Sequence, residues 1–246
     1  MKFLVLVSPV IFLLVCTVFS ELLVKRLGRN VGTALILACL GLLLSSSFLR
    51  VLQRFAERTS TPRPRLGTFR GLGIGLTFGL LASLLSGLAF SWASGHHVDY
   101  SQFSDNFGLK ALGNIFPAAV EEAAFRAGVV HFASAFYSPS LGLAAGSVPF
   151  GVIHFFGILF GNPVTIQHAL GVSVAGLLLS LLYLRFGLTA AVGCHWLWNT
   201  FCGSWVKALQ LPKSGGVQTF EGAWTTIIVL SALSFVLWKT SRPASR

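Results

Sequence analysis

The stretch Gly71-Leu-Gly-Ile-Gly-Leu-Thr-Phe-Gly-Leu-Leu-Ala-Ser-Leu-Leu-Ser-Gly-Leu-Ala-Phe-Ser-Trp92 carries no ionisable side chain. A helix that crosses a bilayer needs about 20 predominantly apolar residues, and this run supplies them. Its glycines Gly71, Gly73, Gly75 and Gly79 remove side-chain bulk, so that a neighbouring helix can approach closely. Working outward, similar runs lie near Phe3–Ser20, Val31–Leu49, Ala111–Val130, Leu141–Phe160, His168–Leu184, Leu188–Val206 and Gly222–Trp238. No internal repeat and no low-complexity tract interrupts them. The expected fold is all-α: a polytopic membrane helix bundle of about eight transmembrane helices, with residues 1–246 forming one integral-membrane domain.

Composition agrees with that expectation. Hydrophobic residues make up 54% of the chain and charged residues 10%, well below the roughly 25% of a soluble domain. Mean hydropathy is +0.78. A disordered chain, a disulfide-rich secreted domain and a collagen-like fibre are all excluded. The formal charge of +11 does not indicate a nucleic-acid partner, because the basic residues flank apolar runs and form no stripe with interleaved aromatics. Flanking lysine and arginine is what the positive-inside bias produces.

That bias sets the expected orientation. With both termini cytoplasmic, Lys2, the arginines from Arg50 to Arg70, Arg185, Lys239, Arg242 and Arg246 lie inside, whereas Lys25, Arg26, Arg29, Lys110, Lys207 and Lys213 lie outside. The Lys25–Arg29 group opposes this assignment locally. The basic connection of about residues 50–70 has Arg50, Arg54 and Arg58 at helical spacing before Pro62 and Pro64. It reads as a cytoplasmic extension of the second helix at an anionic leaflet, with recruitment of an acidic partner the alternative. Membrane lipids are therefore partners, and the plasma (inner) membrane is the expected location. The first run also has a rival reading, as a signal peptide cut after Ser20, but its apolar core exceeds the usual ~7–15 residues. Cys16, Cys39, Cys194 and Cys202 fall inside apolar runs and read as small hydrophobes.

Ionisable residues inside a span are costly and mark function by default. Glu21, Glu57, Asp99, Asp105 and Glu221 can sit in connections or at helix ends. Glu121 and Glu122 cannot: they lie in mid-span, in Val120-Glu-Glu-Ala-Ala-Phe-Arg126. Arg126 is i+4 from Glu122, the favoured order for an ion pair on one helix face. Glu121 points about 100° away, which leaves it without an arginine. Two other spans carry matching anomalies, Phe150-Gly-Val-Ile-His154 and His195-Trp-Leu-Trp-Asn199. Counted at 1.5 Å per residue from the outer ends, Glu121 lies about 15 Å deep, His154 about 9 Å, His195 about 16 Å and Asn199 about 10 Å. These depths overlap within the uncertainty of the span ends, so the four side chains are expected to converge on one intramembrane polar cavity. Pro117 and Pro149 precede Glu121 and His154 and tend to kink their helices.

A carboxylate in a desolvated cavity suits general-base work at neutral pH. An imidazole can share the water it activates, and further N–H donors can hold a developing oxyanion. Amide hydrolysis in or at the edge of the membrane fits this set. Other membrane hydrolases fit less well. There is no pair of intramembrane aspartates, no His-Glu-x-x-His and no Gly-x-Ser-x-Gly elbow. Two histidines and a glutamate are also a donor set that zinc accepts. His96-His97-Val-Asp99 reads as a surface loop, and His131 and His168 as ordinary span-end residues. Asn114 either lines the cavity or bonds to a neighbouring helix.

In order on three spans, Glu121-Glu122-x-x-x-Arg126, Phe150-x-x-x-His154 and His195-x-x-x-Asn199 resemble the motif set of the CPBP family. These are glutamic-type intramembrane endopeptidases related to CAAX prenyl protease type II and to bacteriocin-processing and self-immunity proteins. The resemblance covers a core of about residues 111–203. It implies a metal-independent protease with no cofactor, acting on a peptide or protein with a hydrophobic or lipid-modified segment. In that scheme Glu121 and His154 activate water, His195 and Asn199 stabilise the oxyanion, and Glu122, Arg126 and Phe150 support the site. A non-catalytic adaptor or immunity protein on the same scaffold, and a proton-coupled transporter using membrane Glu and His, are the alternative functions.

Overall fold

The computed structural model describes residues 2–95, 107–155, 166–208 and 220–240. Among them the secondary structure is helical, with no strand. In chain order the elements are α1 (Lys2–Leu27), α2 (Val31–Arg58), α3 (Phe69–Ser94), α4 (Phe107–Glu122), a π-helical stretch (Ala123–Val130), α5 (His131–Phe136), α6 (Pro139–Ile153), α7 (Ile166–Phe186), α8 (Leu188–Ala208) and α9 (Phe220–Lys239). α4, the π stretch and α5 run on as one rod. Among the described residues each of the eight apolar runs falls on its own helical rod, the end of the fifth run, 156–160, lying outside them.

Local chemistry fixes the helix ends. The Asn30 side chain accepts from the Thr33 N–H at 2.9 Å and Thr68 accepts from Gly71 at 3.1 Å. Ser138 accepts from Leu141 at 3.1 Å, with Pro139 in the first turn of α6, where its missing N–H costs nothing. α1 extends beyond the expected limit near Ser20, because nothing stops it before Gly28, whose φ of 77° is a left-handed turn that glycine adopts freely. Glu21 consequently lies within α1 and not at its end. α2 likewise carries Arg50, Arg54 and Arg58 on a helical extension. α4 and α6 both continue as helices through Pro117 and Pro149.

By length and apolar composition, four described helices suffice to cross a membrane: Leu6–Leu27, Val31–Arg58, Phe69–Ala93 and Ile166–Phe186. Pro139–Ile153 and Trp224–Lys239 are shorter apolar helices. The rod from Phe107 is set apart by the buried charges it carries, Glu122 and Arg126. Large apolar side chains cover the outer faces, with Leu43 64%, Ile228 65% and Val15 64% exposed, a distribution that suits lipid and not water. The chain is a multi-pass membrane protein.

α8 lies inside the bundle between α3 and α4, α2 packs on α4, and α7 packs on α6 and α9. The α3–α8 seam explains the glycine spacing. A Cβ on Gly75 would overlap the Ala190 carbonyl oxygen, and one on Gly79 would come within 2.5 Å of the Cys194 carbonyl oxygen. Gly73, by contrast, faces open space. Backbones at such range gain packing that any side chain would forbid. Gly75→Ala is expected to force the helices apart at a cost of about 1–3 kcal/mol, read as a lower Tm in detergent, whereas Gly73→Ala leaves Tm unchanged. The connection between α2 and α3 is tied onto the α7–α8 turn. Leu188 and Thr189 donate their N–H groups to the Arg65 and Leu66 carbonyls, both at 2.9 Å, and the Arg65 N–H donates to the Tyr183 hydroxyl at 3.3 Å.

Candidate active site

Three rods supply the polar residues singled out in the sequence. Glu121 and Glu122 close α4, where the helix passes into the π stretch. His154 lies just past the last residue of α6, and His195 and Asn199 lie one turn apart on α8. Glu121, Phe150, His154, His195 and Asn199 all line a single cavity of about 100 Å³, together with apolar residues that include Ala82, Leu178 and Leu230. That space has room for several water molecules.

Glu122 and Arg126 are both fully buried and form an ion pair, with Arg126 Nε 2.8 Å from Glu122 Oε2. Arg126 Nη1 donates to the Gly146 carbonyl at 2.7 Å and to the Ser180 hydroxyl at 3.3 Å. Its guanidinium sits over the Phe150 ring, 4.6 Å from the centroid, a cation–π contact that replaces lost hydration. Phe150 thus joins the arginine to both histidines, its ring centroid lying 5.1 Å from that of His154 and 5.9 Å from that of His195.

The second oxygen of Glu122 does what its place in the sequence did not indicate. Glu122 Oε1 lies 2.9 Å from His195 Nδ1. An ionised carboxylate only accepts, so His195 donates from Nδ1, and the tautomer and ring orientation are set from behind. Nε2 then faces the cavity and lies 3.8 Å from Glu121 Oε2. That glutamate oxygen is buried and has no hydrogen-bond partner among the described residues. His154 is oriented by an analogous contact, its Nδ1 2.7 Å from the Phe150 carbonyl oxygen. One imidazole is therefore held between two adjacent carboxylates. No face-counting on one helix shows this, because the link runs from α4 to α8. The available signal was chemical: Arg126 satisfies only one oxygen of a fully buried glutamate, so the other needed a donor.

The π stretch lies directly after the glutamates. At its end the His131 N–H reaches back to the Arg126 carbonyl, five residues earlier, the wider turn that often occurs at functional sites. Asn114 is an interhelical contact, its Nδ2 3.5 Å from Thr200 Oγ1. Trp196 Nε1 donates to the Ala111 carbonyl at 2.7 Å and fastens α8 to α4 on the same side. His131 is no ordinary span-end residue: it is buried, with Nε2 2.7 Å from the Pro62 carbonyl oxygen. His168 approaches His154, with ring centroids 6.4 Å apart. His96, His97, Asp99 and Asp105 lie outside the described residues. Among the described residues no three His, Cys, Asp or Glu are grouped to hold a metal ion.

No curated protein and no solved structure matches this chain. Residues 103–201, which span both glutamates, both site histidines and Asn199, match the family described as type II CAAX prenyl endopeptidase Rce1-like, a family of CAAX-type intramembrane proteases.

Proposed function

We propose that the chain is a glutamic, metal-independent intramembrane endopeptidase that cleaves a peptide bond at or within the bilayer. The observation that carries this reading is Glu121: a half-buried carboxylate whose Oε2 is buried with no hydrogen-bond partner among the described residues, lining one cavity with two imidazoles and an amide. Glu121 takes a proton from water, and the resulting hydroxide attacks the scissile carbonyl carbon. His154, its Nδ1 held by the Phe150 carbonyl, turns Nε2 toward that water. The carbonyl oxygen becomes an oxyanion that Asn199 and His195 stabilise, His195 donating from Nε2 when that nitrogen carries a proton in addition to the Nδ1 proton given to Glu122. Glu121 then returns the proton to the leaving amine, and the C–N bond breaks. The substrate is a peptide or protein with a hydrophobic or lipid-modified segment, and the plasma (inner) membrane is the proposed location.

The test is cleavage of tail-anchored and lipid-modified peptides by the purified protein in detergent. Cleavage is expected to persist in a strong chelator. Asn199→Ala is expected to lower kcat by about 10²–10³-fold, the usual cost of one oxyanion donor. Loss of activity on chelation, restored by adding a divalent metal, would overturn the metal-independent mechanism.

A further inference from the structure

A peptide cleaved at Glu121 needs room on either side of its scissile bond, beyond the cavity of about 100 Å³ that the carboxylate shares with the histidines. A second cavity, of about 270 Å³, opens between α1, α2 and α4, and Glu121 lines it as well. Its volume approaches the ~300 Å³ at which pockets begin to hold sizeable ligands. It shares one lining residue with the catalytic cavity, the same carboxylate.

The shape follows from how α1 meets the rod. A Cβ on Gly128 would lie 2.6 Å from Pro9 Cγ, so α1 and the π stretch are in tight contact near the start of α1. Further along, the antiparallel helices leave the cavity between them. On α1 the wall is Leu13, Thr17, Ser20, Glu21 and Val24, at i, i+4, i+7, i+8 and i+11, which is one helix face. Ser20 donates its proton to the Thr17 carbonyl at 2.9 Å, so its oxygen faces a ligand as an acceptor. Glu21, when ionised, only accepts, and among the described residues no ion pair engages it. Lys25 and Arg26 on the next turn do not pair with it. With Glu121 at the inner end, this wall offers acceptors in a protein whose overall charge is +11.

We infer that the α1–α4 cavity is the substrate-binding cleft, which holds the peptide beside the scissile bond and recognises a lysine or arginine side chain through Glu21. The inference rests on the proteolytic reading and deepens it. α1 and α2 lie outside the family-matched residues 103–201, so substrate choice is written in the part of the chain that the family match leaves out.

Hydrophobic peptides that differ only in arginine or alanine near the scissile bond provide the test. Glu21→Gln is expected to raise KM for the arginine peptide about tenfold with kcat unchanged, and to shift the alanine peptide by less than about twofold. Glu57→Gln, a change at a surface ion pair with Arg63, serves as the control that alters neither. An equal response of both peptides to Glu21→Gln would overturn the inference. A second measurement needs no turnover: the arginine peptide carrying a benzophenone side chain is photocrosslinked to Glu121→Gln protein and the adducts are mapped. Adducts on residues 13–24 that weaken about tenfold when Glu21→Gln is added support the cleft, and adducts elsewhere overturn it while leaving proteolysis intact. Conversely, adducts in place with no cleavage by the unaltered protein would overturn the proteolytic reading and leave the cleft standing.

Discussion

Glu121→Gln is expected to lower kcat by roughly 10²–10⁴-fold, the range a positioned general base contributes, with KM and Tm little changed. The substitution keeps the side chain's shape and removes only its capacity to take a proton. Among the described residues the one ion-pair contact of Glu121 is with His195 Nε2 at 3.8 Å, longer than a hydrogen bond, so its loss is not expected to unfold the bundle. Mass spectrometry of membrane proteins from cells bearing either form would reveal the natural target as a terminus trimmed in one and intact in the other. Unchanged cleavage by Glu121→Gln would remove the proposed base. An unchanged cellular phenotype in Glu121→Ala would favour a non-catalytic role on the same scaffold.

Arg126→Met is expected to cost about 3–5 kcal/mol, the penalty for stranding one partner of a buried ion pair. The loss has more than one source. Glu122 keeps a charge with only His195 to answer it, the Gly146 carbonyl loses its donor, and the face of Phe150 loses its cation. Thermal unfolding in detergent measures the effect. Adding Glu122→Gln should recover much of the Tm by removing the stranded charge, and the two changes should be strongly non-additive. Activity should not return, because the carboxylate that fixes His195 is then gone. A Tm unaltered by Arg126→Met would show that the pair is not holding these helices together.

The helices were legible in the sequence because a bilayer imposes a length and a composition at once. Each apolar run marks a rod, yet the rods end where turn chemistry ends them and not where hydropathy does, as Gly28 after α1 and Arg58 at the close of α2 show. The Glu122–Arg126 pair could be read from i,i+4 spacing. The gathering of Glu121, His154, His195 and Asn199 around one cavity could be anticipated from depth alone, since depth is a property each helix carries by itself. What joins two helices at one depth is not. The bond from Glu122 to His195 depends on how α4 and α8 are rotated about their axes, as does the 3.8 Å approach of His195 Nε2 to Glu121. The π stretch had no signature either, because a widened turn alters hydrogen-bond partners without changing residue types.

The glycine seam between α3 and α8 bears on motion as well as packing. A contact of main chain on main chain has no rotamers to exchange, so α3 acts as a stiff rail along which the imidazole-bearing helix is registered. Rattling of α8 would have to stretch that seam or break the Trp196 tether to α4. Conformational freedom to admit a bulky chain is then expected from α1, which beyond its tight start against the π stretch meets α2 and α4 at few points, leaving the reacting groups at rest while the wall opposite them yields.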